Sequence, residues 1–391
     1  MIILRIACDN LYMFKNFEVD FTYNRQINHA LTKNDRLFEG SKIKVRKNLI
    51  IMGANASGKT TFGRLLCMIL NFINAEAFVE GNFKPETVRY DKTRNAGFEI
   101  EFAVGKTAYL LKAILGGNTL LYETLTVQKI CKSYSINTLR KKLKEKEPMS
   151  VYDASKSRIK IGLRSYAFSA SADPEIENVQ KNIGFWFRFS ENPANTTDYE
   201  KNINVEILNS NLPKIDNSVE SVERLYSEKN VPTNTYTIKF KNGDQLTVSN
   251  GDLEECKKRL SHGTFEAIDF ILMLDALKSG RLSTFYIDEL LAHTNPELEA
   301  YFIRNAFISK SAESQVFFTT HNIQILALNA PANTFMFFRR NAAGFNEIIY
   351  PADKISKNDR NLKGYYDNDY FGILPDYSAL DTLFNTGDAD E

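Results

Sequence analysis

The chain has no CxxC pair, no long apolar run and almost no net charge, and each absence removes a class of protein. Its four cysteines, Cys8, Cys67, Cys131 and Cys256, are scattered, with no histidine at ligand spacing. That argues against a zinc site and fits reduced thiols in the cytosol. No stretch reaches the roughly 18 uncharged apolar residues that a membrane helix needs. The opening MIILRIACDN lacks the basic start, apolar run and cleavage site of a secretory signal, so a soluble cytoplasmic protein is expected. A formal charge of +1 gives no global attraction to nucleic acid or an acidic membrane, and any electrostatic partner must meet a local patch. What remains is ordinary for a globular chain: 391 residues, 43% hydrophobic and 25% charged, enough for one large or two modest domains.

What is present becomes regular at both ends. MIILRIACDNLYMFKNFEVDF alternates as two strands around a turn. The apolar run NLIIM, the loop GANASGKT and the helix-like TFGRLLCMILNFI follow after a polar stretch. GFEIEFAVGKTAYLLKAILGG and TLLYETLTVQK read as antiparallel strands. Composition shifts between residues 130 and 235, which predicts an inserted basic, helical lobe, with a loop at SENPANTTDYEKN. TNTYTIKFKNGDQLTV is a hairpin with its turn at NGD. Beyond it a long helix stopped by Gly280, two short buried strands and a final strand pair alternate as in a doubly wound α/β core. The closing NTGDADE is expected to be a disordered tail. The divisions are therefore 1–129, 130–235 and 236–391.

Four motifs carry chemistry. In GANASGKTT, spanning Gly53, Asn55, Ala56, Ser57, Gly58, Lys59, Thr60 and Thr61, backbone N–H groups can wrap a phosphate. Lys59 reaches the outer phosphates, the Thr60 hydroxyl ligates Mg²⁺, and the following helix start adds its dipole. ATP and Mg²⁺ are the expected cofactors. STFYIDELL runs β-prone residues into Asp288 and Glu289. An acid there can hold Mg²⁺ and a second can orient water, whereas alone the pair would equally suit a helix start. SQVFFTTHN ends an apolar strand at His321, 33 residues after Asp288, either structural or a donor to the γ-phosphate. RLSHGTFEAIDFILML starts a helix at Ser261 and Gly263, either a plain N-cap or a second anion site.

In order and spacing these motifs resemble the ATP-binding cassette superfamily. Walker A falls at Gly53–Thr60, the signature at Leu260–Thr264, Walker B at Phe285–Glu289 and the switch histidine at His321. GANASGKTT, LSHGT, YIDEL and FFTTHN are similar to the OLD-like and SMC-like branch, which includes bacterial anti-phage defence ATPases. The resemblance implies a cassette ATPase head, a mixed sheet with a P-loop α/β core and an antiparallel β subdomain. It further implies two heads sandwiching ATP head to tail. Lys59, Thr60, Asp288, Glu289 and His321 would act from one protomer, and Ser261 and Gly263 from the other. The family's acidic residue and His-Pro pair after Walker B are replaced by Leu291 and Asn295 in LLAHTNPEL.

Lys59 and Ser261 lie 202 residues apart, too far for a plain transporter cassette and too close for a long coiled coil. Residues 129–164 hold eleven basic against three acidic residues. Such a patch can track nucleic-acid phosphates, form a solvated helix, or dock an acidic protein. About 70 residues follow His321, too few for an added nuclease domain. The layout resembles two-component abortive-infection systems of the AbiL or PARIS type, with the effector on a separate chain. Three readings follow: an ATP-driven sensor and regulator in phage defence, a DNA-repair ATPase, and a scaffold that binds ATP but hardly hydrolyses it.

Overall fold

The computed structural model describes residues 1–25, 27, 29–74, 88–170, 173–189, 195–196, 203–227, 229, 231–249, 256, 258–289, 296–328, 330–355 and 362–374. The expected tail at NTGDADE and the positions Leu291 and Asn295 lie outside the described residues, as does most of SENPANTTDYEKN.

Two sheets face one helix. The first is antiparallel and six-stranded. It comprises β1 (Ile2–Asp9), β2 (Phe17–Asp20), β6 (Ala96–Val104), β7 (Thr107–Gly116), β8 (Thr119–Lys129) and β9 (Ser150–Asp153) in the order β2-β1-β6-β7-β8-β9. A short pair, β3 (Thr22–Tyr23) and β4 (Lys44–Val45), lies apart from it. The second sheet has seven strands: β5 (Asn48–Met52), β10 (Phe185–Arg188), β11 (Asn195–Thr196), β15 (Thr284–Asp288), β16 (Gln315–Thr319), β17 (Phe335–Arg340) and β18 (Asn346–Ile349). Its order is β11-β10-β15-β16-β5-β17-β18, with β10 to β17 parallel and both edge strands antiparallel. β5, β15 and β16 are buried at every residue, the near-continuous apolar reading of a parallel sheet covered on both faces.

Helix α1 (Lys59–Asn74) follows the P-loop and is buried almost all round, because it lies between the sheets. Its Phe62 ring stands 6.2 Å from Phe17 of the first sheet and 5.5 Å from Phe338 of the second. One core cluster joins α1, the first sheet and the inner side chains Tyr286, Phe317, Met336 and Phe338 of the second. A second core covers the other face of the parallel sheet.

The stretch 130–235, expected as one helical lobe, is spread over three places. Helices α2 (Ile136–Glu145), α3 (Tyr166–Ala170) and α4 (Pro174–Asn182) pack into the first core, and β9 extends the first sheet. The basic run is helical only to Glu145 and turns extended at Ser150. Strand β10, the aromatic FWFR, enters the parallel sheet beside β15. Four fully buried positions need a sheet interior, and this apolar run outweighs the polar composition around it. Helix α5 (Val205–Ile215) and β12 (Val219–Tyr226) join β13 (Pro232–Phe240) and β14 (Gln245–Val248), the expected hairpin, in a three-stranded sheet.

Helix α6 (His262–Ser279) opens on Ser261 and stops at Gly280, whose φ of +69° is left-handed. It packs in the second core, and Arg188 at the end of β10 pairs with its Asp269 at 3.2 Å. Helix α7 (Pro296–Ser309) starts on proline with Glu297 and Glu299 in its first turn, as the helix dipole favours. Short helices α8 (Pro351–Lys354) and α9 (Leu362–Asp367) complete the chain. No described helix is long and apolar enough to cross a membrane.

Candidate nucleotide site

The loop between β5 and α1 is shaped by its glycines. A Cβ at Gly53 would run into the Phe338 carbonyl and the Ser57 hydroxyl, and Gly58 sits at φ +104° against the Asn346 amide. Ala56 also adopts a left-handed φ, +59°. Asn55 and Ala56 are exposed at the tip, Ser57 is buried, and Thr61 is half-buried in the first turn of α1. The β17–β18 hairpin holds the loop from outside. The Asn346 amide donates to the Ser57 carbonyl, and Arg340 Nε donates to the Ala56 carbonyl at 3.1 Å. The Ser57 hydroxyl is buried without a hydrogen-bond partner.

Lys59 is buried and folds back over the loop. Its Nζ donates to the carbonyls of Gly53 at 3.0 Å and Ala54 at 3.4 Å, and stands 3.9 Å from Glu289 Oε1. Burial lowers its pKa, against the pull of Glu289 and Asp288.

Asp288 is fully buried at the carboxyl end of β15. Thr319, its register partner on β16, donates to Oδ1 at 2.6 Å, and Thr60 donates to Oδ2 at 2.8 Å. Burial raises the Asp288 pKa, and the two threonine hydrogen bonds oppose that rise. Glu289 takes a left-handed φ of +54° as the strand ends, and its N–H donates to the Thr319 hydroxyl at 3.2 Å. Backbone strain of this kind is held only where surrounding contacts fix it. His321 Nε2 lies 2.7 Å from Glu289 Oε1 and 3.0 Å from Lys59 Nζ. With a proton that nitrogen donates to Glu289; without one it accepts from Lys59.

Lys59, Thr60, Asp288, Glu289 and His321 thus form one connected cluster. Ser261 and Gly263 do not join it. Ser261 caps α6 by accepting from Thr264 N–H at 3.0 Å. Both are exposed and line a separate cleft of about 740 Å³ with Ile215, Asp216 and Phe270. Of the eleven basic residues in 129–164, ten are exposed. Arg140 is committed to Asp20 and Glu101 at 2.7 Å each.

The residues present suit a nucleotide with a hard cation. The Thr60 hydroxyl and Asp288 carboxylate are adjacent oxygen donors, the set Mg²⁺ shares with phosphates. The unpartnered Ser57 hydroxyl and the close-packed glycines fit an anion bound by loop backbone. Among the described residues, no three His, Cys, Asp or Glu side chains form a metal cluster by themselves.

Sequence reading missed four contributors: Tyr286, Thr319 as the partner of Asp288, Arg340 and Asn346. A tyrosine inside TFYID was a signal; nothing local marked Asn346, 289 residues from Ser57.

No curated protein matches the chain. Solved structures with some likeness include a SMC head bound to the C-terminal winged-helix domain of ScpA (12% identity, 91% of this chain and 100% of that one, TM-score 0.44). Others are the SMC head domain from Thermotoga maritima (11%, 90% and 99%, 0.39) and the recombination mediator RecF with ATP (13%, 89% and 97%, 0.39). The family model described as "AAA domain, putative AbiEii toxin, Type IV TA system" matches residues 49–327, most of the chain, and with its P-loop in that span the chain belongs to this family of AAA-type ATPases.

Proposed function

We propose that this protein is a Mg²⁺-dependent ATPase that pairs head to tail with a second copy around ATP, and that it senses and regulates a separate effector in anti-phage defence. The Thr60–Asp288–Thr319 chain carries the reading, because it joins the P-loop helix to the end of β15 through a buried carboxylate. In this reading Lys59 leaves the loop carbonyls for the outer phosphates, and Thr60 and Asp288 hold Mg²⁺. Bound Mg²⁺ neutralises charge on the phosphate oxygens. Glu289 orients the attacking water and His321 donates to the γ-phosphate. Ser261 and Gly263, exposed and outside the cluster, serve the partner's site. A toxin–antitoxin label on the family supports a defence role.

The test is steady-state ATP hydrolysis with light scattering, comparing the parent with Glu289→Gln. We expect turnover by the parent, a fall of about a hundredfold in the variant, and a larger ATP-bound species of the variant. If both are equally inactive and neither mass responds to ATP, the chain is a nucleotide-bound scaffold. The ten exposed cations of residues 129–164 favour a second reading, a DNA-repair ATPase. DNA-stimulated hydrolysis that falls steeply with salt would support it.

A further inference from the structure

The start of α6 is held by a residue from another unit. Asp216 ends α5, in the turn leading to β12. Its Oδ1 accepts from the Ser218 N–H at 2.9 Å and hydroxyl at 2.6 Å. Its Oδ2 accepts the Thr264 hydroxyl proton. Thr264 is buried, and its Oγ1 lies 2.7 Å from the Ser261 hydroxyl.

The proton count then settles which way each hydroxyl points. Thr264 gives its only hydroxyl proton to the Asp216 carboxylate, which has none to give at neutral pH. The Thr264 oxygen can therefore only accept from Ser261. Ser261 in turn accepts the Thr264 N–H, so both of its local partners are on one residue. Asp216 thereby sets the proton direction of Ser261 without touching it, while the Thr264 N–H holds the Ser261 side chain in place.

We infer that Asp216 is a positioning residue for the Ser261–Gly263 helix start, and that it links this start to the α5 and three-stranded-sheet unit. Displacing that unit withdraws the carboxylate, frees the Thr264 proton and releases Ser261 from its fixed direction. A contact made by an outside partner on the unit can in this way raise or lower ATP-driven pairing. The inference rests on the head-to-tail reading and names the residue through which it is controlled.

The experiment measures two properties of the full chain: binding of a fluorescent ATP analogue, and the protein concentration at which ATP doubles the mass in a Glu289→Gln background. At protein concentrations too low for pairing, Asp216→Ala should bind the analogue as the parent does, because the P-loop cluster of one copy is separate from the start of α6. Asp216→Ala and Thr264→Val should each need about tenfold more protein to pair, the scale of one lost hydrogen bond to a charged group. Thr264→Ser should restore pairing. Asp216→Ala combined with Ser261→Ala should be no worse than Ser261→Ala alone, since they act in series. Parent-like pairing by Asp216→Ala, full additivity with Ser261→Ala, or equal loss of nucleotide binding would each overturn the inference. A parent background whose mass ignores ATP sinks the head-to-tail reading and this inference with it, and is seen before any Asp216 variant is made.

Discussion

The Tyr286 hydroxyl donates a 2.5 Å hydrogen bond to the main-chain carbonyl of Lys59. Tyr286 is fully buried two residues before Asp288, and Lys59 begins α1. A Cβ on Gly63 would collide with the Tyr286 ring, so glycine lets the helix approach the strand closely enough for this bond. The acid-bearing strand and the phosphate-bearing helix are therefore fixed to each other at two points, Tyr286–Lys59 and Asp288–Thr60.

Tyr286→Phe removes the first point and keeps the ring. We expect a loss of about 1 kcal/mol in stability, the usual net value of one such bond. Urea unfolding measures it. Unchanged stability would mean that Asp288–Thr60 alone sets the spacing.

Asn346 clamps the loop from the far end of the chain. Asn346→Ala leaves the Ser57 carbonyl without this donor and lets the loop relax. We expect ATP affinity to fall about tenfold, a cost of about 1.4 kcal/mol, with little change in Tm. Equilibrium titration with a fluorescent ATP analogue reads it, and parent-like binding would show that the loop holds its shape unaided.

Much of this was legible in the sequence, and the rest has physical causes. NLIIM, TFYID and QVFFT read as buried strands because a parallel sheet covered on both faces needs unbroken apolar runs, and all three are buried throughout. The cluster of Lys59, Thr60, Asp288, Glu289 and His321 followed from motifs with fixed spacing. FWFR was hidden because its neighbours are polar and its partner β15 lies about a hundred residues on; composition reports the neighbours, not the pairing. Arg140 looked like part of a binding patch, yet the buried Glu101 and the half-exposed Asp20 claim it. Only the fold decides which charges are spent internally.

Thr319 serves two groups, donating to Asp288 and accepting from the Glu289 N–H. Thr319→Val keeps the shape and removes both bonds. The Asp288 pKa, already raised by burial, loses its closest opposing hydrogen bond and rises further. We expect the Mg²⁺ requirement to increase about tenfold, with the deficit growing as pH falls, because protonated Asp288 is a poor cation ligand. Hydrolysis rates over a Mg²⁺ series at several pH values check this. A deficit that does not vary with pH would point to lost packing instead.

Lys310, just past α7, is buried and donates to the Ser314 carbonyl at 2.6 Å. Burial is the main cause that brings its pKa from 10.5 to about 7, and nearby Lys47 adds to the fall while Asp35 and Glu313 oppose it. The folded pKa lies below the unfolded one, so across this window the unfolded chain binds more protons. Parent stability therefore rises with pH from about 7 to about 10.5, by at most ~5 kcal/mol from this group. Lys310→Met has no such term. Whatever its constant cost in lost hydrogen bonds, the difference between variant and parent should shift towards the parent as pH rises. Groups remote from Lys310 cancel, and Asp35, which the Lys310 charge holds down, titrates higher in the variant and shifts the difference in the same direction. Urea unfolding of both proteins at about pH 6.5 and about pH 9.5 tests the sign. A constant difference would mean that Lys310 keeps its proton in the folded chain, with Asp35 and Glu313 outweighing burial.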